Sequence, residues 1–210
     1  MKYRAIIFDL DGVICFTDHY HYLAWKQLSD SMGIYFDEKI NNSLRVVSRI
    51  ESLEFILENY TGNLDKEEKE ALAEKKNAVY KELLHQMSEQ DLSKEIKETL
   101  DALRENGCKL AIGSSSKNAK FILERLGLKN YFDAISDGTN IEKSKPDPEV
   151  FLKAAEFVGC NPEECLVVED ALAGILAAHH GGFHSAGLGE AAESEYVTYP
   201  LNTFRELLMI

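Results

Sequence analysis

Asp9 and Asp11 stand two residues apart in Phe8-Asp9-Leu10-Asp11-Gly12-Val13, directly after a short apolar run. Two carboxylates at that spacing repel one another unless a cation relieves them. A divalent ion that prefers oxygen ligands does so and also binds a phosphoryl oxygen. Asp9 is then placed to attack phosphorus and carry an aspartyl-phosphate. Asp11 is placed to pass a proton to or from the attacking or leaving hydroxyl. Taken alone, Asp-x-Asp-Gly reads more readily as a turn with a helix cap.

Three further fragments bear on that choice. Ser114-Ser115-Ser116 follows the apolar run Lys109–Gly113 and precedes a helix predicted to begin near Lys117. A hydroxyl with backbone N–H groups at a helix start cradles phosphate, although a serine before a helix is also an ordinary cap. Lys145, ahead of Pro146, is either a surface lysine or the cation that neutralises a phosphate and the attacking aspartate. Glu169-Asp170 follows the apolar run Cys165–Val168. It either completes a magnesium site with Asp9 and Asp11 or is an acid pair favoured by a helix dipole. The joint pattern is more specific than its parts. Nucleophile, hydroxyl, lysine and acid pair occur in this order, each just after a predicted strand, and together they make up a phosphoryl-transfer site.

The elements that must position these residues alternate. Strands are predicted at 4–9, 109–113, 134–136, 165–168 and 184–187, with helices at 94–106, 117–126, 148–158 and 170–181 between them. Such alternation predicts an α/β fold with a parallel sheet and helices on both faces. Ligands then bind outside the carboxyl ends of the strands, where all four fragments lie. Residues 18–90 break the alternation with helical patterns at 18–32, 48–60 and 66–88. The predicted organisation is a core of residues 1–16 and 92–210 with a helical cap domain, 17–91, inserted after the first strand. The charged stretch Asp65–Lys76 is expected to be largely a solvated helix face.

Composition narrows the partners. The 210 residues carry a formal net charge of −13, which repels nucleic-acid backbones. The same field repels small phosphates, so such a substrate needs local cations. Cys15, Cys108, Cys160 and Cys165 contain no Cys-x-x-Cys pair, and no zinc site is expected. Residues 1–14 lack a signal-peptide layout, and no apolar run approaches the roughly 20 residues of a membrane helix. A cytoplasmic, monomeric protein with reduced thiols and neither nucleic-acid nor membrane partners is expected. Cys15, His179 and His180 are read as structural or surface residues.

The core set, with Ser144-Lys145-Pro146-Asp147-Pro148 and Ser116-Lys117-Asn118 included, resembles the haloacid dehalogenase superfamily along the whole chain. The resemblance implies a Rossmann-like core with an α-helical cap and Mg2+ as cofactor. It implies catalytic roles for Asp9, Asp11, Ser114 and Lys145, with the metal at Asp9, the Asp11 main-chain carbonyl, Glu169 and Asp170. In the cap, Thr17, His21, Trp25, Leu44-Arg45-Val46-Val47-Ser48-Arg49, Glu51-Ser52-Leu53 and Lys76-Asn77 resemble the β-phosphoglucomutase family. That implies that Thr17 and His21 help position Asp11 and that Arg45 and Arg49 receive a distal phosphate. It also implies substrate contacts from Trp25, Ser52 and Lys76, and in the core from Ser115, Ser116, Lys117 and Asn118. The implied activity interconverts β-D-glucose 1-phosphate and glucose 6-phosphate through an aspartyl-phosphate and a sugar bisphosphate. The alternative is a magnesium-dependent sugar-phosphate phosphatase of the same superfamily. Three positions depart from the pattern: Val46 stands where a glycine is usual, Phe16 where a second aspartate often stands, and no Pro-Gly occurs around Leu92–Ile96.

Overall fold

The runs Ala5–Phe8, 110–113 and Cys165–Glu169, which form the middle of the sheet, are short, largely apolar and buried along their length, as expected of a parallel sheet covered by helices. The computed structural model describes residues 2–44 and 48–210. In it β1 (Ala5–Phe8), β2 (Lys109–Gly113), β3 (Ala134–Ser136), β4 (Cys165–Glu169), β5 (His184–Gly187) and β6 (Tyr199–Pro200) form a sheet in the order β3-β2-β1-β4-β5-β6. Every neighbouring pair is parallel. This is the α/β, Rossmann-like core expected from the sequence. The chain leaves β1 toward β2 on one side and continues from β4 on the other, so the strand order reverses at β1. The carboxyl end of β1 is therefore the crevice where such sheets bind ligands.

The core helices are α5 (Lys94–Glu105), α6 (Ala119–Arg125), α7 (Glu149–Val158) and α8 (Leu172–His180). Ala5, Ile7, Cys165 and Val167 share a buried cluster with Val150, Phe151 and Ala154 of α7 and Ala177 and Ala178 of α8. On the opposite face Phe8 meets Phe132 and Phe204, with ring centroids 6.3 and 5.7 Å away. The strand β6 was not foreseen: it has two residues, one of them a proline, and such a segment belongs at a sheet edge without an apolar pattern.

The chain divides into two compact units, Met1–Phe16 with Met87–Ile210 and Thr17–Gln86. The return to the core thus falls at Gln86/Met87 rather than 91/92. The reason is local. Met87 is buried, its carbonyl accepts hydrogen bonds from Arg125 Nε (2.9 Å) and Nη2 (2.6 Å), and Glu89 packs against Gly127. The second unit holds α1 (Asp18–Ser31), α2 (Glu38–Ser43), α3 (Arg49–Leu57) and α4 (Lys66–Leu84). Trp25, Leu28, Ile34, Phe36, Leu44, Leu53, Ile56 and Ala73 form its own apolar cluster. Capping boxes at Ser48 and Asp65 start α3 and α4, each satisfying two otherwise orphaned N–H groups. The helix α2 escapes periodicity because it is six residues long and ends in Asn-Asn-Ser, which are poor helix formers. Among the described residues no helix is long and apolar enough to cross a membrane, and the four cysteines are buried free thiols.

Candidate active site

Each core residue singled out from the sequence sits at the carboxyl end of the sheet. Asp9 follows β1 and its N–H still donates to the Val168 carbonyl of β4 (2.9 Å). Ser114 follows β2, with its N–H on the Ser136 carbonyl of β3 (3.0 Å). Glu169 ends β4 and Asp170 follows it. Lys145 enters from the loop ahead of α7 and joins two of these ends: Nζ donates to Asp9 Oδ1 and, at 2.7 Å, to Glu169 Oε1. All three side chains are nearly enclosed. The ammonium also lies 4.7 Å from the centre of the Phe151 ring. Phe151 reaches that point only because Gly113 has no side chain; a Cβ there would stand 2.6 Å from Phe151 Cδ1.

Glu169 is fixed at both oxygens. Oε1 takes Lys145, and Oε2 accepts from the Asp170 and Ala171 N–H groups, both at 2.9 Å. Asp170 leans over the first loop: a Cβ on Gly12, whose φ is +93°, would lie 2.0 Å from Asp170 Oδ2. Glycine at position 12 therefore provides both the left-handed turn and the room for this carboxylate.

Charge is unbalanced here. Among the described residues, Lys145 is the buried ammonium that pairs with Asp9 and Glu169, while Asp170 and Asp11 add further negative charge nearby. Burial pushes the Asp9 carboxyl well above its usual range; Lys145 opposes this, and Glu169 and Asp11 add to it. Burial and the neighbouring Glu169 raise Asp170 to about 7. Burial alone would lower the Lys145 pKa, but Asp9 and Glu169 outweigh it and hold the ammonium protonated above its ordinary range. Among the described residues no three acid, histidine or cysteine side chains form a ready-made metal cluster. The donor set nevertheless fits a small hard cation that keeps several waters and needs one or two carboxylates. Asp9 and Asp170 would supply the carboxylates, and the Gly12 backbone lies beside Asp170. Glu169, with both oxygens engaged, fits a role behind these ligands.

The serine loop is built from its own hydroxyls. Ser116 N–H donates to Ser114 Oγ and Asn118 N–H to Ser116 Oγ, each at 3.2 Å. Ser114 and Asn118 are buried, Ser115 and Ser116 half-buried and Lys117 exposed. The Ser115 hydroxyl is buried without a hydrogen-bond partner. Of two residues that sequence reasoning passed over just after β3, Gly138 braces this loop and Asp137 is buried next to it in the chain. Gly138 N–H donates to the Ser116 carbonyl (3.2 Å), and a Cβ on Gly138 would stand 2.4 Å from the Ser115 carbonyl oxygen. Asp137 is fully buried, accepts from Thr139 and lies 3.6 Å from Lys120. The Asp-Gly dipeptide after a strand was the available signal.

The second unit holds its own polar cluster. Lys76 is buried, with Nζ 2.9 Å from His21 Nδ1 and 4.7 Å from the ring centres of Trp25 and Tyr80. His21 stacks on Tyr80 at 4.1 Å, and the Tyr80 hydroxyl donates to Thr17 Oγ1 at 3.1 Å. Burial, then the charges of Lys76 and Arg49, hold His21 well below the usual imidazole value. A neutral His21 accepts from Lys76 through Nδ1. Lys76 is therefore not part of the solvated face of α4. Trp25 belongs to the apolar cluster while presenting its ring to Lys76, and Ser52 is buried on α3. Arg49 opens α3 and pairs with Glu74 at 2.8 Å. Arg45 and Val46 lie outside the described residues.

Residues 3–182 match the haloacid dehalogenase-like hydrolase model. The chain belongs to that family. Within it, a β-phosphoglucomutase from Bacillus subtilis (strain 168) is 41% identical over 192 residues, covering 89% of this chain and 84% of the relative. A phosphorylated-carbohydrates phosphatase from Thermotoga maritima is 30% identical over 183 residues, 85% of this chain and 82% of the relative. The crystal structure of a β-phosphoglucomutase from Clostridium difficile superposes with a TM-score of 0.89 at 38% identity, covering 98% of this chain and 93% of that one. Family members thus include both a sugar-phosphate mutase and a sugar-phosphate phosphatase at substantial coverage.

Proposed function

We propose that this chain is a phosphomutase that converts β-D-glucose 1-phosphate to glucose 6-phosphate. Asp9 attacks phosphorus and becomes the aspartyl-phosphate, with Lys145 holding one of its oxygens and neutralising the phosphoryl group. Ser114 and the N–H groups of the Ser115-Ser116-Lys117-Asn118 loop bind the phosphoryl oxygens. Asp11 takes the proton from the sugar hydroxyl as the phosphoryl group moves to it and returns a proton when the other phosphate is taken back. Magnesium is the cation assigned to Asp9, Asp170 and the Asp11 main-chain carbonyl, with Glu169 behind them; when bound it offsets the carboxylate excess and draws charge from the transferring group.

One observation carries the choice of a mutase. Despite the net charge of −13, the cap keeps a buried Lys76 and a largely enclosed Arg49 in addition to the core Lys145. A substrate that bears a second phosphate needs such a second set of cations, and the guanidinium of Arg49 binds two phosphate oxygens at once. Thr17, His21, Trp25 and Ser52 complete the sugar side of this reading. The 41% identity to a β-phosphoglucomutase supports it.

The second reading is a sugar-phosphate phosphatase, favoured by the 30% identical Thermotoga relative. The core chemistry is shared, and water replaces the sugar hydroxyl. The two separate in an assay with magnesium on each anomer of glucose 1-phosphate. The mutase reading expects glucose 6-phosphate from the β anomer and little turnover of the α anomer. Phosphate release without glucose 6-phosphate would establish the phosphatase.

A further inference from the structure

Arg49 is the first residue of α3, directly after the Ser48 cap, and its side chain is about three-quarters enclosed, at 26% exposure. Its Nη1 is 2.8 Å from Oε1 of Glu74 on α4. Glu74 and Lys76 are two residues apart on that helix, so they point to different sides: Lys76 inward, buried at 2% exposure, and Glu74 outward, with a side chain 72% exposed. The outward carboxylate has turned back onto the guanidinium.

This ion pair is not what holds α3 to α4. Lys69 on α4 donates to both oxygens of Glu54 on α3 at 2.9 and 2.8 Å, and Leu53, Ile56 and Ala73 share the apolar cluster. An exposed carboxylate on one arm of a guanidinium contributes little to stability. It does occupy part of a fork that matches phosphate oxygens.

We propose that Glu74 is a built-in competitor for the Arg49 phosphate subsite, displaced when a phosphate arrives, and that it thereby sets how tightly the cap holds phosphorylated sugars. The proposal rests on the assignment of Arg49 to the non-reacting phosphate. A phosphate carries more charge than a carboxylate and offers paired oxygens, so it wins the fork, but against a cost that Glu74 imposes on every ligand. A weaker hold suits a reaction whose bisphosphate intermediate must turn over before its second transfer.

The test is calorimetric affinity for glucose 1,6-bisphosphate, using the full chain with an Asp9→Asn background so that the ligand is not consumed. Glu74→Gln should tighten binding by about two- to five-fold, the range of a solvent-exposed ion pair. Arg49→Ala should weaken binding, and adding Glu74→Gln to Arg49→Ala should change nothing further. Weakening by Arg49→Ala with no gain from Glu74→Gln would overturn the competitor alone. Binding indifferent to Arg49→Ala would overturn the phosphate assignment and this inference with it.

Discussion

Gly174 leaves the space that the Glu169 carboxylate fills: a Cβ at position 174 would lie 1.8 Å from Glu169 Oε1. That oxygen holds Lys145, which in turn holds Asp9. The other oxygen is pinned by two N–H groups, so the carboxylate cannot step aside without losing contacts. Gly174→Ala should therefore destabilise the protein by about 1–3 kcal/mol through overpacking. It should also slow phosphoryl transfer by roughly 10²-fold through misplacement of Lys145. Thermal unfolding and aryl-phosphate turnover check this; wild-type values for both would show that Glu169 has room to move.

Asp170 gives a pH signature. Its carboxyl is raised from an ordinary 3.8 to about 7, so the metal-free fold favours the protonated acid. The associated stability is fully present below pH 4 and is lost as pH rises toward 7, because the unfolded chain ionises first. In chelator, the melting temperature of the wild type relative to Asp170→Asn should decline between about pH 4 and 7 and level off above. Added magnesium should restore the wild type at pH 7 and not the variant. A difference independent of pH would remove the repulsion argument.

Asp11 is expected to serve proton transfer rather than attack. Asp11→Ala should slow transfer to sugar by about 10²–10⁴-fold. Labelling of Asp9 by acetyl phosphate should persist, since that leaving group needs no acid. Rapid-quench measurement of both steps separates them; unchanged sugar transfer would give the proton to another group.

Much of the candidate site was legible because most of its core residues directly follow an apolar run, and a parallel sheet gathers the ends of such runs. Asp9, Ser114, Glu169 and Asp170 needed only strand positions. Lys145 was expected just after a strand like the others; β3 ends at Ser136, and the lysine instead enters from the loop ahead of α7, where its contacts with Asp9 and Glu169 account for its place in the motif. Gly174 and Asp137 were not legible as site residues. A glycine at the third position of a helix signals close approach but not to what, and the burial of Asp137 depends on packing between two strand ends. In the cap, a lysine inside the run Glu74-Lys75-Lys76 looked solvated; the aromatic rings that enclose it come from α1 and from one turn further along α4. The short α2 and β6 lie below the length at which periodicity gives a pattern.

The most direct test of phosphoryl transfer through Asp9 follows the phosphoryl group itself. Asp9 is labelled with radioactive acetyl phosphate in magnesium, excess donor is removed, and β-glucose 1-phosphate is added in a single-turnover chase. The label is expected to leave Asp9 for the sugar and to be recovered as sugar bisphosphate and glucose 6-phosphate, while Asp9→Asn takes up no label at all. Recovery of the label as inorganic phosphate, or full labelling of Asp9→Asn, would contradict this.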